Sequence, residues 1–417
     1  MVAWPGMGPL EELLFLGTLM ALGAFSIDVM LPALEATAHR YGTSPTAAQL
    51  VVGLYFLGFA LGQLLWGPLM DALGRRKVLR GALFGFSLAA LATVAAPGFS
   101  LLLAARFVQG FFAASFRIGV TASIRDRYRG EAMARRLSYA LLVLMVAPVL
   151  APALGVALLA LGPWAPYALP AFLGLLWSGR FRETLPEEAR RPLRLASLGE
   201  GALLVLRDRR AGLYALALGG VFGILYAYLA ASAELYKAHL GLSNPAFALA
   251  FGATGLVLAG ANLLGPQVVA RLGLGKALRR AVAGLLALLL FLPLHALAPR
   301  PFPFWLHLTS VLLLVVFTFP NAQARALEGL GKVAGLAASF TGFLSTLLAA
   351  LLGTLVGQAS GGAPLPFSLG LLGLGVLAFA AVFLAEASPL CGSPPPGGPG
   401  GSPPGSAPPG GGGGPGG

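Results

Sequence analysis

Charged residues are scarce in this chain, and their scarcity excludes an ordinary soluble protein. Asp, Glu, Lys and Arg make up only 10% of the 417 residues, whereas 57% are hydrophobic and the mean hydropathy is +0.82. A soluble core of this length could not hide so much apolar surface. The composition therefore predicts a chain that folds within a lipid bilayer.

Cysteine and histidine are also rare, which restricts the chemistry. Cys391 is the only cysteine, so an intramolecular disulfide is excluded. The four histidines, at 39, 239, 295 and 307, lie near predicted span ends without metal-ligand spacing, and no phosphate-binding loop is present. We therefore predict no metal, no cofactor and no nucleotide-driven pump. A membrane-embedded enzyme would need a nucleophile beside a base, and these positions offer no convincing pair.

The apolar runs set the fold class. They divide into twelve lengths of about 20 residues, enough for a helix to cross roughly 30 Å of hydrocarbon. We predict an all-α integral membrane protein with twelve transmembrane helices in two pseudo-symmetric six-helix halves, at residues 1–180 and 211–387. A polar cytoplasmic linker at 181–210 joins them, and a Gly- and Pro-rich tail at 388–417 is predicted to be disordered. The spans are expected to begin near residues 10, 47, 78, 99, 134, 163, 211, 246, 278, 303, 334 and 366.

The net charge of +13 follows the membrane rather than a nucleic acid. With both termini placed in the cytoplasm, all but five of the 28 Lys and Arg residues fall at cytoplasmic loops and their flanks. This asymmetry is the positive-inside rule, and it predicts two cytoplasmic termini. The five exceptions are Arg40, Lys237 and Arg300 outside, with Arg106 and Arg117 inside spans.

A charged turn between the second and third spans is repeated in the second half. It runs from Gly67-Pro68 through Asp71 to Gly74-Arg75-Arg76-Lys77, and its copy begins at Gly265-Pro266 but has Val269 in place of Asp71. Such duplication implies parallel halves with a substrate path between them. Gly67 and Gly74 are expected to let the helix ends approach closely, while Asp71, Arg75 and Arg76 form a gate.

One face of the fourth span is polar. Arg106, Gln109, Ala113, Arg117 and Thr121 recur every three or four residues, so they share a helical face. A lipid-facing arginine costs several kcal/mol, so this face is predicted to point inward. Arg106 could alternatively be a fixed hydrogen-bonding post between helices.

Asp28 is the only acid inside the first span, and we place it roughly 6 to 8 Å from the outer end of that helix. It could pair with Arg106. Desolvation favours protonated Asp28, whereas approach of Arg106 or of a cationic substrate favours the carboxylate, so a change of distance could exchange a proton for substrate. A structural acid, or a helix-end group in water, is the alternative. Tyr55 and Tyr226 are candidate aromatic walls, or packing residues.

These motifs together resemble the major facilitator superfamily. The repeated turn resembles the signature loop of this superfamily. The fourth-helix pattern that the superfamily links to proton coupling is resembled by Arg106-Phe107-Val108-Gln109-Gly110. Asp28-Val29-Met30-Leu31-Pro32-Ala33 resembles the first-helix motif of the Bcr/CflA branch of multidrug:proton antiporters. Ala147-Pro148-Val149-Leu150-Ala151-Pro152 with Gly155 resembles the fifth-helix antiporter motif of that branch.

The resemblance implies an inner-membrane bacterial exporter, acting as a monomer, that exchanges protons for small amphipathic compounds by alternating access. It implies that the acid at Asp71 helps to hold the outward-facing state by a contact near the eleventh helix.

Two departures from the family pattern affect the substrate range. Thr121 stands where an Arg is expected, and Ser232-Ala233 stands where Ser-Pro is expected. Glu234, which follows them, could bind cationic cargo or lie solvated at the interface. A metabolite or organic-anion carrier of the same fold is the main alternative, and a scaffold a further one. The implied roles are proton coupling for Asp28 and Arg106, substrate binding for Asp28, Gln109, Arg117, Tyr55 and Tyr226, gating for Gly67, Asp71, Gly74, Arg75 and Arg76, and helix bending for Pro148 and Pro152 with Gly155.

Overall fold

A bundle of long helices makes up the part of the chain that the structure describes. The structure is a computed structural model that describes residues 7–193, 196–328 and 334–388. Shorter helical segments occupy Leu31–Ala33, Leu34–Arg40, Pro45–Ala48, Leu159–Leu161, Glu187–Ala189, Ala196–Arg207 and Leu235–His239. The twelve principal helices are α1 Pro9–Asp28, α2 Leu50–Leu73, α3 Arg75–Ala95, α4 Phe99–Arg127, α5 Gly130–Leu158, α6 Ala165–Ser178, α7 Arg209–Glu234, α8 Asn244–Leu272, α9 Leu274–Leu297, α10 Pro301–Leu327, α11 Ala334–Ser360 and α12 Pro364–Glu386.

The predicted all-α membrane architecture is confirmed, with one short member. Every principal helix begins within about four residues of its predicted start, because hydropathy breaks at charged and Gly/Pro clusters are strong boundary signals. Eleven helical stretches among the described residues are long and apolar enough to cross a membrane. The exception is α6, whose 14 residues extend only about 21 Å.

The first helix extends farther than the sequence suggested, which changes the depth of Asp28. Beyond α1 the chain continues through the tight turn Leu31–Ala33 into the helix Leu34–Arg40, so one helical path runs from Leu10 to Arg40. Pro32 lies in the tight turn and does not end that path. Asp28 therefore lies about 18 Å from the far end of the path, and the predicted depth of 6 to 8 Å was too shallow.

Matching helix contacts in the two halves show their pseudo-symmetry. In the first half α1 packs against α5, α2 against α4, and α3 against α4 and α6; in the second, α7 packs against α11, α8 against α10, and α9 against α10 and α12. Each contact of the second half joins the two helices whose numbers are six higher than those of a contact in the first half. The contact of α1 with α5, for example, corresponds to that of α7 with α11. Between the halves, α2 packs against α11 and α5 packs against α8. These two contacts are also related by the pseudo-symmetry, because α8 is the counterpart of α2 and α11 is the counterpart of α5.

The repeated turn has the same backbone shape in both halves. Gly74 between α2 and α3 has φ 91° and ψ 151°, and Gly273 between α8 and α9 has φ 77° and ψ 148°. An L side chain rarely adopts this positive φ, so glycine is required at both positions. We call the end of the bundle that carries these two turns the basic end, and the opposite end, near Leu34–Arg40 and Leu235–His239, the distal end.

The linker between the halves is partly helical. It contains the single turn Glu187–Ala189 and the helix Ala196–Arg207, and the latter packs against α11 and α7. Of the predicted disordered tail only Ser388 is described, so that prediction lies outside the described residues.

Candidate substrate path and gates

A buried polar cluster joins α1, α2 and α4. Arg106 is 1% exposed; its Nη1 donates to Gln109 Oε1 at 2.7 Å and its Nε to the Val51 carbonyl at 3.3 Å. Its guanidinium lies 4.6 Å from the centre of the Tyr55 ring, a cation–π arrangement. Nη2 has no hydrogen-bond partner among the described residues, so this arginine keeps a free donor in the protein interior.

Asp28 and Arg106 are not joined in this conformation. The structure gives the Asp28 carboxylate, in a residue only 3% exposed, no hydrogen bond and no ion pair with any described residue. Tyr55 connects the two helices instead: its hydroxyl donates to the Gly23 carbonyl at 2.8 Å and accepts from Ser26 Oγ at 2.9 Å. The pairing of Asp28 with Arg106 that the sequence suggested is absent here because α2 carries the tyrosine into this region.

The polar face of α4 is buried along one part of the helix and exposed along the next. Arg106, Gln109 and Ala113 are buried, whereas Arg117 is exposed. Ala113 packs against α1, because its Cβ would lie 3.5 Å from a Cβ placed on Gly23. Arg117 is one turn farther along the same face, so it points into the bundle, and its exposure indicates an opening towards the basic end.

The seam between α5 and α8 is packed at its distal part only. Six residues of α8 are buried, and all lie between Phe247 and Gly255. Gly252 approaches the Val149 carbonyl of α5 so closely that a Cβ would lie 2.9 Å from that oxygen. None of residues 256–272, which complete α8, is buried. The two halves therefore touch near the distal end and separate towards the basic end along this seam.

Aromatic stacking adds to the closure on the α2 side. The Phe56 ring of α2 stacks on Tyr226 of α7, with 3.6 Å between ring centres and 14° between planes. Farther towards the basic end, Gln63 Nε2 donates to Thr346 Oγ1 at 2.9 Å across the α2–α11 contact. Tyr55 and Tyr226 are buried, so in this conformation they pack instead of lining an open cavity.

Polar bonds across the halves close the distal end itself. Glu234 at the end of α7 accepts from Gln49 Nε2 at 2.6 Å and from Thr46 Oγ1 at 3.3 Å, both from the start of the second span. Lys237 forms an ion pair with Glu35 at 2.5 Å. We call these contacts the distal latch. Glu234 was expected to bind cargo or lie solvated, and its role in closure was missed; polar Thr46 and Gln49 at a span start were the available signal.

A small cavity lies directly under the distal latch. Its volume is about 310 Å³, and Gln49, Glu234 and Lys237 line it together with Ala230 and Ala233. Gln358 Nε2 of α11 donates to the Thr46 carbonyl at 2.6 Å, so the second half holds this region through two helices.

The charged turn at the basic end is bonded within its own half. Arg75 donates to Asp71 Oδ1 at 2.6 Å and to Asp126 Oδ2 at 3.1 Å, while Glu183 accepts from the backbone N–H of Arg75 at 2.9 Å. Asp71 is therefore directed to Arg75, and its side chain is 46% exposed. The structure gives the Asp71 side chain no bond to the described residues of α11, in keeping with an open basic end.

Some of the other residues predicted to act in the gate contact a neighbouring segment, and others have no close neighbour. A Cβ on Gly67 would meet nothing within 4 Å, so the close helix approach expected there is absent. Gly155 does permit one, because a Cβ there would clash with the carbonyl oxygen of Val29, the residue that follows α1. Pro148 and Pro152 lie within the continuous helix α5, and the Pro148 backbone contacts α8 at Gly255.

Each half also has an ionic cluster of its own at the basic end. In the second half Glu386 accepts from Arg325 at 2.6 Å and from the Tyr214 hydroxyl. In the first half the Tyr128 hydroxyl donates to Glu12 at 2.7 Å. Burial raises the pKa of Tyr128, and its bond to the Glu12 carboxylate acts in the same direction, so the hydroxyl stays a donor at neutral pH.

Two six-helix halves that meet at one end and part at the other define a membrane transporter of the alternating-access type. The sequence profile of the Major Facilitator Superfamily matches residues 13–351. The chain belongs to this superfamily.

Curated relatives are similar over most of their length. The chain is 31% identical to the uncharacterized MFS-type transporter YdgK of Bacillus subtilis (strain 168), over 82% of this chain and 87% of the relative. It is 30% identical to a bicyclomycin resistance protein homolog of Haemophilus influenzae, over 86% and 92%. The second similarity agrees with the Bcr/CflA-type motifs.

Solved structures confirm the fold. A crystal structure of a D-xylose-proton symporter superposes with a TM-score of 0.71 at 16% identity and covers 89% of this chain and 95% of its own. Identity at this level supports the fold alone.

Proposed function

We propose that this protein exports small amphipathic compounds across the bacterial inner membrane in exchange for protons. The observation that carries the proposal is the seam between its halves, packed at the distal end and open at the basic end. Named relatives include the bicyclomycin resistance protein homolog and multidrug resistance protein D of Escherichia coli. The positive-inside rule orients the basic end, with both termini, to the cytoplasm, so the conformation is inward-open.

Asp28 is the proposed proton carrier. A charged carboxylate is costly to bury without a cation or hydrogen-bond donor, whereas its protonated form is not. Asp28 is buried without such a partner in the inward-open conformation, and Arg106 lies beyond Tyr55 with a free Nη2. Rocking of the halves that brings either Arg106 or a cationic substrate to Asp28 would release the proton. One proton moved through 100 mV supplies about 2.3 kcal/mol for export.

Arg117 supports a second candidate within the same fold. It is an exposed cation facing the opening, and the structure gives it no ion pair with any described residue. A site of this kind suits an organic anion. Uptake of organic acids into vesicles, measured beside resistance to drugs, separates the two candidates.

The test of drug:proton antiport is proton release from the purified protein on addition of lipophilic cations and neutral antibiotics. We expect release from the wild type and none from Asp28→Asn, while ligand binding is retained. Glu35→Gln is the matched control, because Glu35 is an acid of the same helical path whose side chain is 73% exposed; it should release protons normally. Ligand binding without proton release in the wild type would exclude Asp28-dependent antiport.

A further inference from the structure

A basic cleft of the first half shares Arg76 with the predicted gate but contains none of the residues of the substrate path. Its volume is about 810 Å³, and it lies between the start of α3 and the segment that follows α6. Four cations line it, with two carboxylates and an apolar edge formed by Ala72, Leu73, Leu185 and Pro186. The cations are Arg76, Lys77, Arg80 and Arg190, and the carboxylates are Glu183 and Glu187.

Positive charge is in excess in this cleft. The Glu183 carboxylate is already bonded to the backbone N–H groups of Arg75 and Arg76, at 2.9 and 3.2 Å. Glu187 pairs with Arg190 at 3.2 Å, but its side chain is 81% exposed, so water weakens the pair. The structure gives Arg76 and Lys77 no ion pair with any described residue.

Arg80 is held in place and still has donors to spare. Its Nη2 donates to the Gly179 carbonyl at the end of α6 at 2.6 Å, which orients the guanidinium beside the cleft. Its buried Nε has no partner among the described residues. A guanidinium fixed in this way, next to unpaired cations, is well suited to the oxygens of a phosphate group.

The cleft continues a lipid-facing stripe of α3. Phe84, Leu88 and Leu91 are 55%, 51% and 45% exposed, and they follow Lys77 and Arg80 at helical spacing. Large apolar side chains exposed on one face of a membrane helix contact acyl chains. The basic residues of that face, Lys77 and Arg80, lie in the first two turns of α3, at the basic end of the bundle, where the head groups of the adjoining leaflet begin.

We propose that this cleft binds the head group of an anionic phospholipid from the leaflet at the basic end, with an acyl chain along Phe84, Leu88 and Leu91. Clustered basic side chains at a membrane surface attract anionic lipids. The site joins α3 to the linker segment that carries Arg190, so the bound lipid bridges two parts of the first half. It is separate from the path that contains Asp28 and Arg117.

The second half contains a matched control region. Lys276 and Arg279 follow Gly273 at the same distances at which Lys77 and Arg80 follow Gly74. Leu290 and Leu294 of α9 are exposed in the same way. The described residues supply no counterpart of Arg190 there, and the nearby Arg325 is already bonded to Glu386.

The experiment is native mass spectrometry of the full-length protein with phosphatidylglycerol or phosphatidylcholine of identical acyl chains. We expect the wild type to retain phosphatidylglycerol about 10-fold more than phosphatidylcholine, because the four cations of the cleft exceed its carboxylates by two charges. Lys77→Gln with Arg190→Gln should abolish the preference. Lys276→Gln with Arg279→Gln removes the same charge and should keep it, as should the charge-conserving Lys77→Arg with Arg190→Lys.

Three results would overturn the lipid site. Equal retention of the two lipids by the wild type, or equal loss of phosphatidylglycerol in both Gln pairs, would mean that the cleft adds nothing to general surface charge. Displacement of bound phosphatidylglycerol by glycerol 3-phosphate at the same concentration as by free phosphatidylglycerol would identify a free phosphate site. Thermal unfolding of each variant shows that the compared proteins are folded.

Discussion

The seam between α5 and α8 has two unlike parts. From Phe247 to Gly255, α8 packs against α5 so closely that its glycine backbone meets a backbone carbonyl of Val149. From residue 256 to 272 the same helix has no buried residue. One continuous helix therefore packs against the other half along its first part and stands apart from it along the rest. The difference places the contact between the halves at the distal part of this seam and the opening at its basic part.

The largest predicted effect comes from fixing the distal contact permanently. A Cβ on Gly53 of α2 would lie 3.2 Å from the Cβ of Thr354 of α11, close to the spacing of a disulfide. In a Cys391→Ser background, Gly53→Cys with Thr354→Cys should form a disulfide and lose transport completely, because the distal end can no longer open. Transport assays with and without reductant measure this effect.

The two single cysteine variants control for the substitutions themselves. Thr354→Cys should transport with or without oxidant. A Cβ on Gly53 would clash with Thr354 Oγ1, so Gly53→Cys is tested together with Thr354→Ala, where it should transport with or without oxidant. A cross-linked protein that transports at the wild-type rate would show that the distal contact of α2 with α11 does not open during the cycle.

A second prediction separates bonds within a half from bonds between halves. Glu386→Gln weakens the cluster of Arg325, Arg210 and Tyr214 in the second half, and we expect a loss of about 2 kcal/mol in the free energy of unfolding. Thermal unfolding should show it. Because all of these residues belong to one half, maleimide labelling of Ala230→Cys in the distal cavity should stay unchanged. Faster labelling would mean that the cluster contributes to the gate.

The third prediction concerns the distal latch and is the smallest. Glu234→Gln removes the charge that accepts from Gln49 and Thr46, and a charge-assisted bond at a part-exposed site contributes about 1 kcal/mol. Labelling of Ala230→Cys should become about 5-fold faster as the distal end opens more often. Lys237→Met is the matched control: its partner Glu35 is exposed, so the change should stay within about 2-fold. Equal effects of both substitutions would show that the latch depends on general charge.

The helices could be predicted from the sequence because the signals that define them are local. Apolar length and charged breaks determined the start of α4 at Phe99 and of α11 at Ala334 to within about four residues. The depth of Asp28 was misjudged because Pro32 was assumed to end the first helix, whereas it occupies a tight turn within a longer helical path. A proline in the sequence is compatible both with the end of a helix and with a turn inside a longer helical path.

The candidate site could be predicted only in part because it depends on contacts between distant segments. The inward-pointing face with Arg106 and Gln109 followed from helical spacing. The position of Tyr55 beside Arg106 and its bonds to α1 depend on how α2 packs against α4. The bond from Gln49 to Glu234 depends on how the halves meet. Neither arrangement leaves a periodic signal in one sequence.

The short helix α6 has a consequence for the membrane around the protein. It extends about 21 Å, some 9 Å less than the hydrocarbon core, and it exposes Phe172, Leu175 and Leu176. Hydrophobic mismatch of this kind is relieved by local thinning of the bilayer. Lipids beside α6 are therefore compressed relative to those beside the longer helices, and shorter acyl chains fit this part of the perimeter better.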